Sequence, residues 1–230
     1  MRKLFLILFI TFIFSSIFAE VNKISVEFGY NRLEMKDFNN YTKEGFFFPQ
    51  MDIDRIESGK SIALNMRMNQ KKLKYIDLEF SLGYLPAKAK GSADSLFHWS
   101  EQYIDGRSVT YNHYVIPMSL ELIYQIPLQQ YLKNKINVEV GGGFANYFAS
   151  STENWKELGL NGEIINNWED TYFDHKFGYH INSKVNFNLP KDIFIGLEVM
   201  YRILDNHQMS DKFELNYSGI GFNCILGVNI

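Results

Sequence analysis

The sequence predicts an all-β fold: an eight-stranded antiparallel up-and-down transmembrane β-barrel with long extracellular loops and short periplasmic turns. Three observations predict it. Apolar and polar residues alternate with period two in segment after segment. The connections between these segments alternate between long and short. The polar face carries charges of both signs together with glycine, the mix expected of residues that fill a narrow barrel. Composition agrees, since 20 Phe, 14 Tyr and 3 Trp against 5 Pro favour strands.

Each strand can be read in turn. The first runs from about Val21 to Met35, with Ile24, Val26, Phe28 and Tyr30 on one face and Lys23, Ser25, Glu27, Gly29 and Asn31 on the other. The second, near 61–69, sets Ile62, Leu64, Met66 and Met68 against Ala63, Asn65 and Arg67. The third, near 74–85, sets Ile76, Leu78, Phe80, Leu82 and Tyr84 against Asp77, Glu79, Ser81 and Gly83. The fourth, near 111–124, alternates Ile116, Met118, Leu120 and Leu122 with His113, Pro117, Ser119 and Glu121; proline donates nothing to a ladder, so a bulge is expected at Pro117. The fifth, near 136–148, places Val138, Val140 and Phe144 opposite Asn137, Glu139, Gly141 and Gly143. The sixth, near 173–189, alternates Phe177, Tyr179, Ile181 and Val185 with Lys176, Gly178, His180, Asn182 and Lys184. The seventh, near 193–204, alternates Ile195, Leu197, Val199 and Tyr201 with Gly196, Glu198 and Arg202. The eighth is "GIGFNCILGVNI", Gly219 to Ile230, apolar at every even position and mostly glycine or asparagine at the odd ones. The segments lie near the roughly 9–11 residues that a tilted strand needs to cross a bilayer.

The connections expected to be long and polar are 36–60, 86–108 and 149–172. Those at 69–73 and 188–192 are expected to be tight turns. Arg2 and Lys3, the apolar run from Leu4 to Phe14 and the small residues up to Ala19 have the layout of a secretory signal peptide over 1–19, leaving 20–230 as the barrel domain. The net charge of −3 becomes two units more negative without Arg2 and Lys3. No basic run points to nucleic acid. Cys224 is the only cysteine, so no intramolecular disulfide is available.

Alternation alone fits a soluble sandwich as well as a membrane barrel, because one has the apolar face inside and the other has it outside. The polar face separates them. Glu27, Arg67, Asp77, Glu79, Glu121, Glu139, Lys184, Glu198 and Arg202, with Lys176, are expected to point inward as a packed charge network, glycines making room for the long side chains opposite. Tyr30, Tyr84, Tyr114, Tyr124 and Tyr201 fall near strand ends, where an aromatic girdle meets the bilayer interface.

Three stretches carry a family likeness: "YVIPMSLELIYQ" (Tyr114–Gln125), "INVEVGGGFANYF" (Ile136–Phe148) and the final "GIGFNCILGVNI". With them the chain resembles the small outer-membrane β-barrel proteins of Gram-negative-type bacteria, the OmpA/OmpW-like barrel class. The resemblance implies a bacterial outer-membrane location, the lipid bilayer and the outer-membrane insertion machinery as partners, and a monomer. The last stretch resembles the C-terminal signal read by that machinery, with Ile230 where such signals usually end in an aromatic.

Catalysis is not expected. His180 and Ser183 are three residues apart in a strand and so on opposite faces, which excludes a dyad. No histidine or cysteine spacing fits a metal, and Gly141–Gly143 precedes no phosphate-binding helix, so no cofactor is expected. The loop aromatics Phe47, Trp99, Trp155 and Trp168 form the candidate binding surface for an extracellular ligand or host surface, with loop–loop packing as the competing reading. The expected role is structural or surface-interacting and non-enzymatic. The alternatives are a narrow channel for small or apolar solutes, as the resemblance implies, and a soluble periplasmic β-barrel binding a lipid-like ligand.

Overall fold

A computed structural model describes residues 20–33, 39, 52–69, 75–99, 102–127, 135–204, 207–208 and 214–230. Eight strands account for most of them: β1 (Glu20–Arg32), β2 (Ser58–Asn69), β3 (Ile76–Trp99), β4 (Gln102–Ile126), β5 (Ile136–Leu158), β6 (Ile164–Asn188), β7 (Ile193–Leu204) and β8 (Gly219–Asn229). Each pairs antiparallel with its neighbour in sequence, and β1 also pairs with β8, so the sheet closes on itself. Three two-residue pieces complete the set. Asp52–Ile53 lies beside β3, and His207–Gln208 pairs with Glu214–Leu215. The expected signal segment and the turn at 70–74 lie outside the described residues.

The alternation in the sequence sets the two faces. Outward stand Phe28 and Tyr30 of β1, Leu64 of β2, Leu122 of β4, Phe173, Phe177, Tyr179 and Ile181 of β6, Leu197 of β7, and Phe222 and Leu226 of β8, all exposed. Inward stand carboxylates, amides and ammonium groups, nearly all buried. This reverses a soluble sandwich, in which water meets the polar face.

Two expectations about length change. The segments 86–108 and 149–172, expected as loops, are mostly strand: β3 and β4 run on as a ladder to Trp99 and Gln102, and β5 and β6 to Leu158 and Ile164. The polar residues that suggested loops lie on the outward face of these extensions, where Lys88 pairs with Asn112 and Thr152 with Thr171. Water, not lipid, is the solvent for that face. The strand pattern therefore continues while its apolar half is lost. The connection at 188–192 is tight as expected: Lys191 and Asp192 both adopt left-handed backbone, the conformation that a short hairpin demands.

Pro117 makes no bulge. Leu82 pairs with Met118 and Leu85 with Val115 in one unbroken register, with only the intervening pairs missing from the ladder. Gly83 makes this tolerable, because a Cβ there would come within 2.8 Å of the Pro117 ring. Register shifts fall instead at Val21/Lys23, Asp94/Phe97 and Glu157/Leu158.

The glycines serve neighbours, not long side chains across the lumen. A Cβ on Gly29, Gly141, Gly196 or Gly221 would overlap the side-chain oxygen of Asn223, Asn182, Asn186 or Asn31 respectively. In every case the asparagine is the glycine's direct partner across the ladder. Gly227 likewise leaves room for the ring of its partner Phe194.

Candidate functional site

The interior has two layers. One is a belt of charge. Lys184 of β6 extends its ammonium to Glu79 Oε1 of β3 (2.5 Å), Glu198 Oε1 of β7 (3.2 Å) and Glu27 Oε1 of β1 (3.4 Å). Arg67 of β2 donates from Nε to Glu79 Oε2 (2.8 Å) and from a terminal nitrogen to Glu139 Oε1 of β5 (2.7 Å). Lys23 of β1 also donates to Glu139 Oε1, at 3.2 Å. β3 and β6 are three strands apart around the ring, as are β2 and β5, so these contacts cross the lumen. One ammonium among three carboxylates is stable only because further donors cover the remaining oxygens. Arg67 covers Glu79 Oε2, and Asn223 donates to Glu198 Oε2 and, at 3.5 Å, to Glu27 Oε2, while Asn182 serves the neighbouring Glu121 Oε2 at 2.6 Å.

Of the nine residues expected in this network, Glu27, Arg67, Glu79, Glu139, Lys184 and Glu198 form one connected cluster. Glu121 sits beside it with His180 Nε2 at 3.0 Å. Asp77 is not ion-paired among the described residues and accepts from Gln125 Nε2 at 2.5 Å. Arg202 stands apart, donating to Asn31 Oδ1 at 2.7 Å. Lys176, on the same face of β6, lies beyond the belt and pairs with Asp174 at 3.7 Å, about one-third exposed. Sequence reasoning left Lys23, His180, Asn182 and Asn223 out of the network. Their inward parity was legible, but their partners lie up to 196 residues away in the chain.

The second layer is apolar, which was not expected of a barrel interior. Leu85, Ala87 and Ala89 of β3, Val109, Tyr111 and Val115 of β4, and Ala145, Tyr147 and Ala149 of β5 point inward and are buried. Leu33, Ile53, Ile56, Leu204 and Tyr217 join the same cluster from the strand ends and connections. Among the described residues the belt is flanked by a cavity of about 10 Å³ between Lys23, Arg67 and Phe194 and by another of about 50 Å³ near Pro117, Tyr147 and Arg202. A cavity needs roughly 10–15 Å³ to hold a water molecule, so these take one and a few respectively.

The candidate aromatic surface divides. Phe47 lies outside the described residues, and so does the side chain of Trp99 at the end of β3. Trp155 and Trp168 are not in loops: they pair across β5 and β6 and stack at 5.8 Å with an interplanar angle of 5°. Trp155 is buried, its edge against Tyr111 at 6.4 Å, while Trp168 is 40% exposed. Beyond them Arg107 pairs with Glu157, which also accepts from Asn166 Nδ2 at 2.7 Å. The two indoles pack on each other, one buried and one still open to solvent.

A closed ring with an apolar outside and a charge-paired inside has one suitable solvent. The chain is an eight-stranded transmembrane β-barrel. The tyrosines fit this: Tyr30, Tyr84, Tyr124 and Tyr201 are exposed on the outer face, and Tyr84 lies 6.1 Å from Tyr114. No protein-family model and no curated protein matches the chain. Among solved structures it is similar to the outer membrane protein OprG from Pseudomonas aeruginosa, with 7% identity over 92% of this chain and 97% of that one and a TM-score of 0.49. It is also similar to a major outer membrane protein from Thermus thermophilus, with 10% identity over 92% and 100% and a TM-score of 0.48. Neisserial surface protein A gives 9% identity over 92% and 99% and a TM-score of 0.46.

Proposed function

We propose that the barrel is a non-catalytic structural and surface-interaction protein, with a closed lumen and with the β3–β6 extensions on the extracellular side. One observation carries the closed lumen: side chains from strands three apart around the ring of eight meet across the interior, Lys184 with Glu79 and Arg67 with Glu139. An eight-stranded barrel is just wide enough for side chains to fill it, and the apolar layer beyond the belt is a second obstruction. The orientation is supported by the tight turn at 188–192 lying at the opposite end from the long hairpins, since such barrels keep short turns on the periplasmic side. Single-channel recording of the purified protein in planar bilayers tests the reading. The expected result is no steady conductance; reproducible steps would make the barrel a narrow channel instead.

A further inference from the structure

The outer face changes character at one level. Tyr30 and Tyr84 end the apolar band on β1 and β3, and just past them stand Arg32, Lys60, Lys88 and Lys90, all exposed. Ladder register brings the four together. Tyr30 pairs with Lys60 and Arg32 with Ser58, while Ile62, two residues below Lys60, pairs with Tyr84. Lys88 and Lys90 lie four and six residues past Tyr84 on the same face of β3. Adjacent strands are about 5 Å apart, so Arg32, Lys60 and Lys88 stand on three neighbouring strands, with Lys90 beyond them beside the 52–54 piece and with the exposed carboxylates Asp54 and Glu57 at the edge of the same arc. Along the same ladder rows β4, β5 and β6 are uncharged or acidic. Lys88 is followed around the ring by Asn112, Thr152 and Thr171, and Lys90 by Thr110, Asn154 and Glu169. Among the described residues none of the four cations is ion-paired with a carboxylate; the Asp54 carboxylate accepts from the backbone N–H of Lys90 at 3.4 Å.

We propose that this patch binds the phosphates of an anionic glycolipid headgroup of the outer leaflet, of the diphosphorylated lipid A type. The inference rests on the extracellular orientation proposed above. The patch faces sideways, directly above the lipid-facing band, where the next molecule met is a lipid. Basic side chains at that level gain from anionic headgroups, and lysine and arginine are the side chains suited to phosphate, one as a point charge and one as a fork. A soluble acidic protein would have to displace that lipid to reach the same face.

The test uses the full chain folded in zwitterionic nanodiscs, titrated with diphosphoryl lipid A and, separately, with its dephosphorylated form. The expected result is at least tenfold tighter binding of the phosphorylated lipid, weakening with added salt. The combined variant Lys60→Gln, Lys88→Gln and Lys90→Gln is expected to lose roughly 100-fold in affinity, while Glu169→Gln on the far side loses none. If the combined variant does not fold, the single Lys88→Gln, with an expected loss of roughly fivefold, decides. Equal binding of the two lipids, or of wild type and variant, overturns the proposal, and so does equally tight binding of phosphatidylglycerol. Binding in nanodiscs does not depend on cellular orientation, so failure of the orientation shows separately, as labelling of an extension residue only in lysed cells.

Discussion

Lys184→Met removes the ammonium that three carboxylates share and keeps the length and most of the volume of the side chain. Glu79 retains Arg67 as a partner, but Glu27 and Glu198 lose their only cation within 4 Å among the described residues. All of these groups are at most 5% exposed. Breaking a buried pair by removing one partner costs about 3–5 kcal/mol. With a urea dependence of about 2 kcal/mol per molar, within the usual range for small proteins, the unfolding midpoint should fall by roughly 2 M. The assay is urea unfolding of the folded barrel in lipid vesicles, followed by tryptophan fluorescence and by the mobility difference between boiled and unboiled samples. The charges must also be tested as a unit. Adding Glu27→Gln and Glu198→Gln to Lys184→Met removes the stranded carboxylates and should recover most of the loss. An unchanged midpoint and slope for Lys184→Met alone would refute the reasoning, because the carboxylates would then be solvated and the belt wet.

Other expectations follow from the same geometry. Gly29→Ala should destabilise the barrel by about 1–3 kcal/mol, since its methyl would overlap both the Asn223 amide oxygen and the Ser61 hydroxyl, and Asn223→Ala with Ser61→Ala in the same chain should return part of that in the same urea assay. Cys224, exposed on the outer face between Phe222 and Leu226, should resist a charged thiol reagent in bilayers and react with an apolar maleimide; fast reaction with the charged reagent in folded protein would mean that this face meets water. Asn161→Cys, at the turn between β5 and β6, should be labelled on intact cells by a membrane-impermeant reagent, and labelling only after lysis would reverse the orientation.

Period two in the sequence was enough to place eight strands, their faces and most of the inward charges. It works because a strand with one lipid face has no freedom of parity: a single-residue slip turns Leu197 inward and Glu198 into lipid. Strand ends were less legible. The alternation that marks a strand in lipid is one of hydropathy, and above the girdle both faces of β6 become polar or aromatic, as in Asn166 to Asp174, although the backbone ladder continues. The apolar upper layer was hidden for a related reason. Ala87, Ala89 and Ala149 are inward residues of segments that read as loops. Pairings such as Lys23 with Glu139 cannot be seen in a sequence at all, because they depend on how far the strands are staggered around the ring.

The reciprocal seam between β1 and β8 bears on how the ring is closed. These strands hold opposite ends of the described chain, and joining them fixes the longest loop in the fold. Even slips of two residues keep every side chain on its proper face, so hydropathy cannot reject them. Amide and glycine can. In the native register Asn31 sits over Gly221 and Asn223 over Gly29, one filling from each side. Moved two residues one way, Asn31 would meet Asn223, and Gly29 would meet Ile225. Moved the other way, Gly29 would face Gly221 with neither filled, and Asn223 would face Glu27. The seam therefore works as a key with two teeth cut from opposite strands, and it accepts one alignment where lipid alone would accept several.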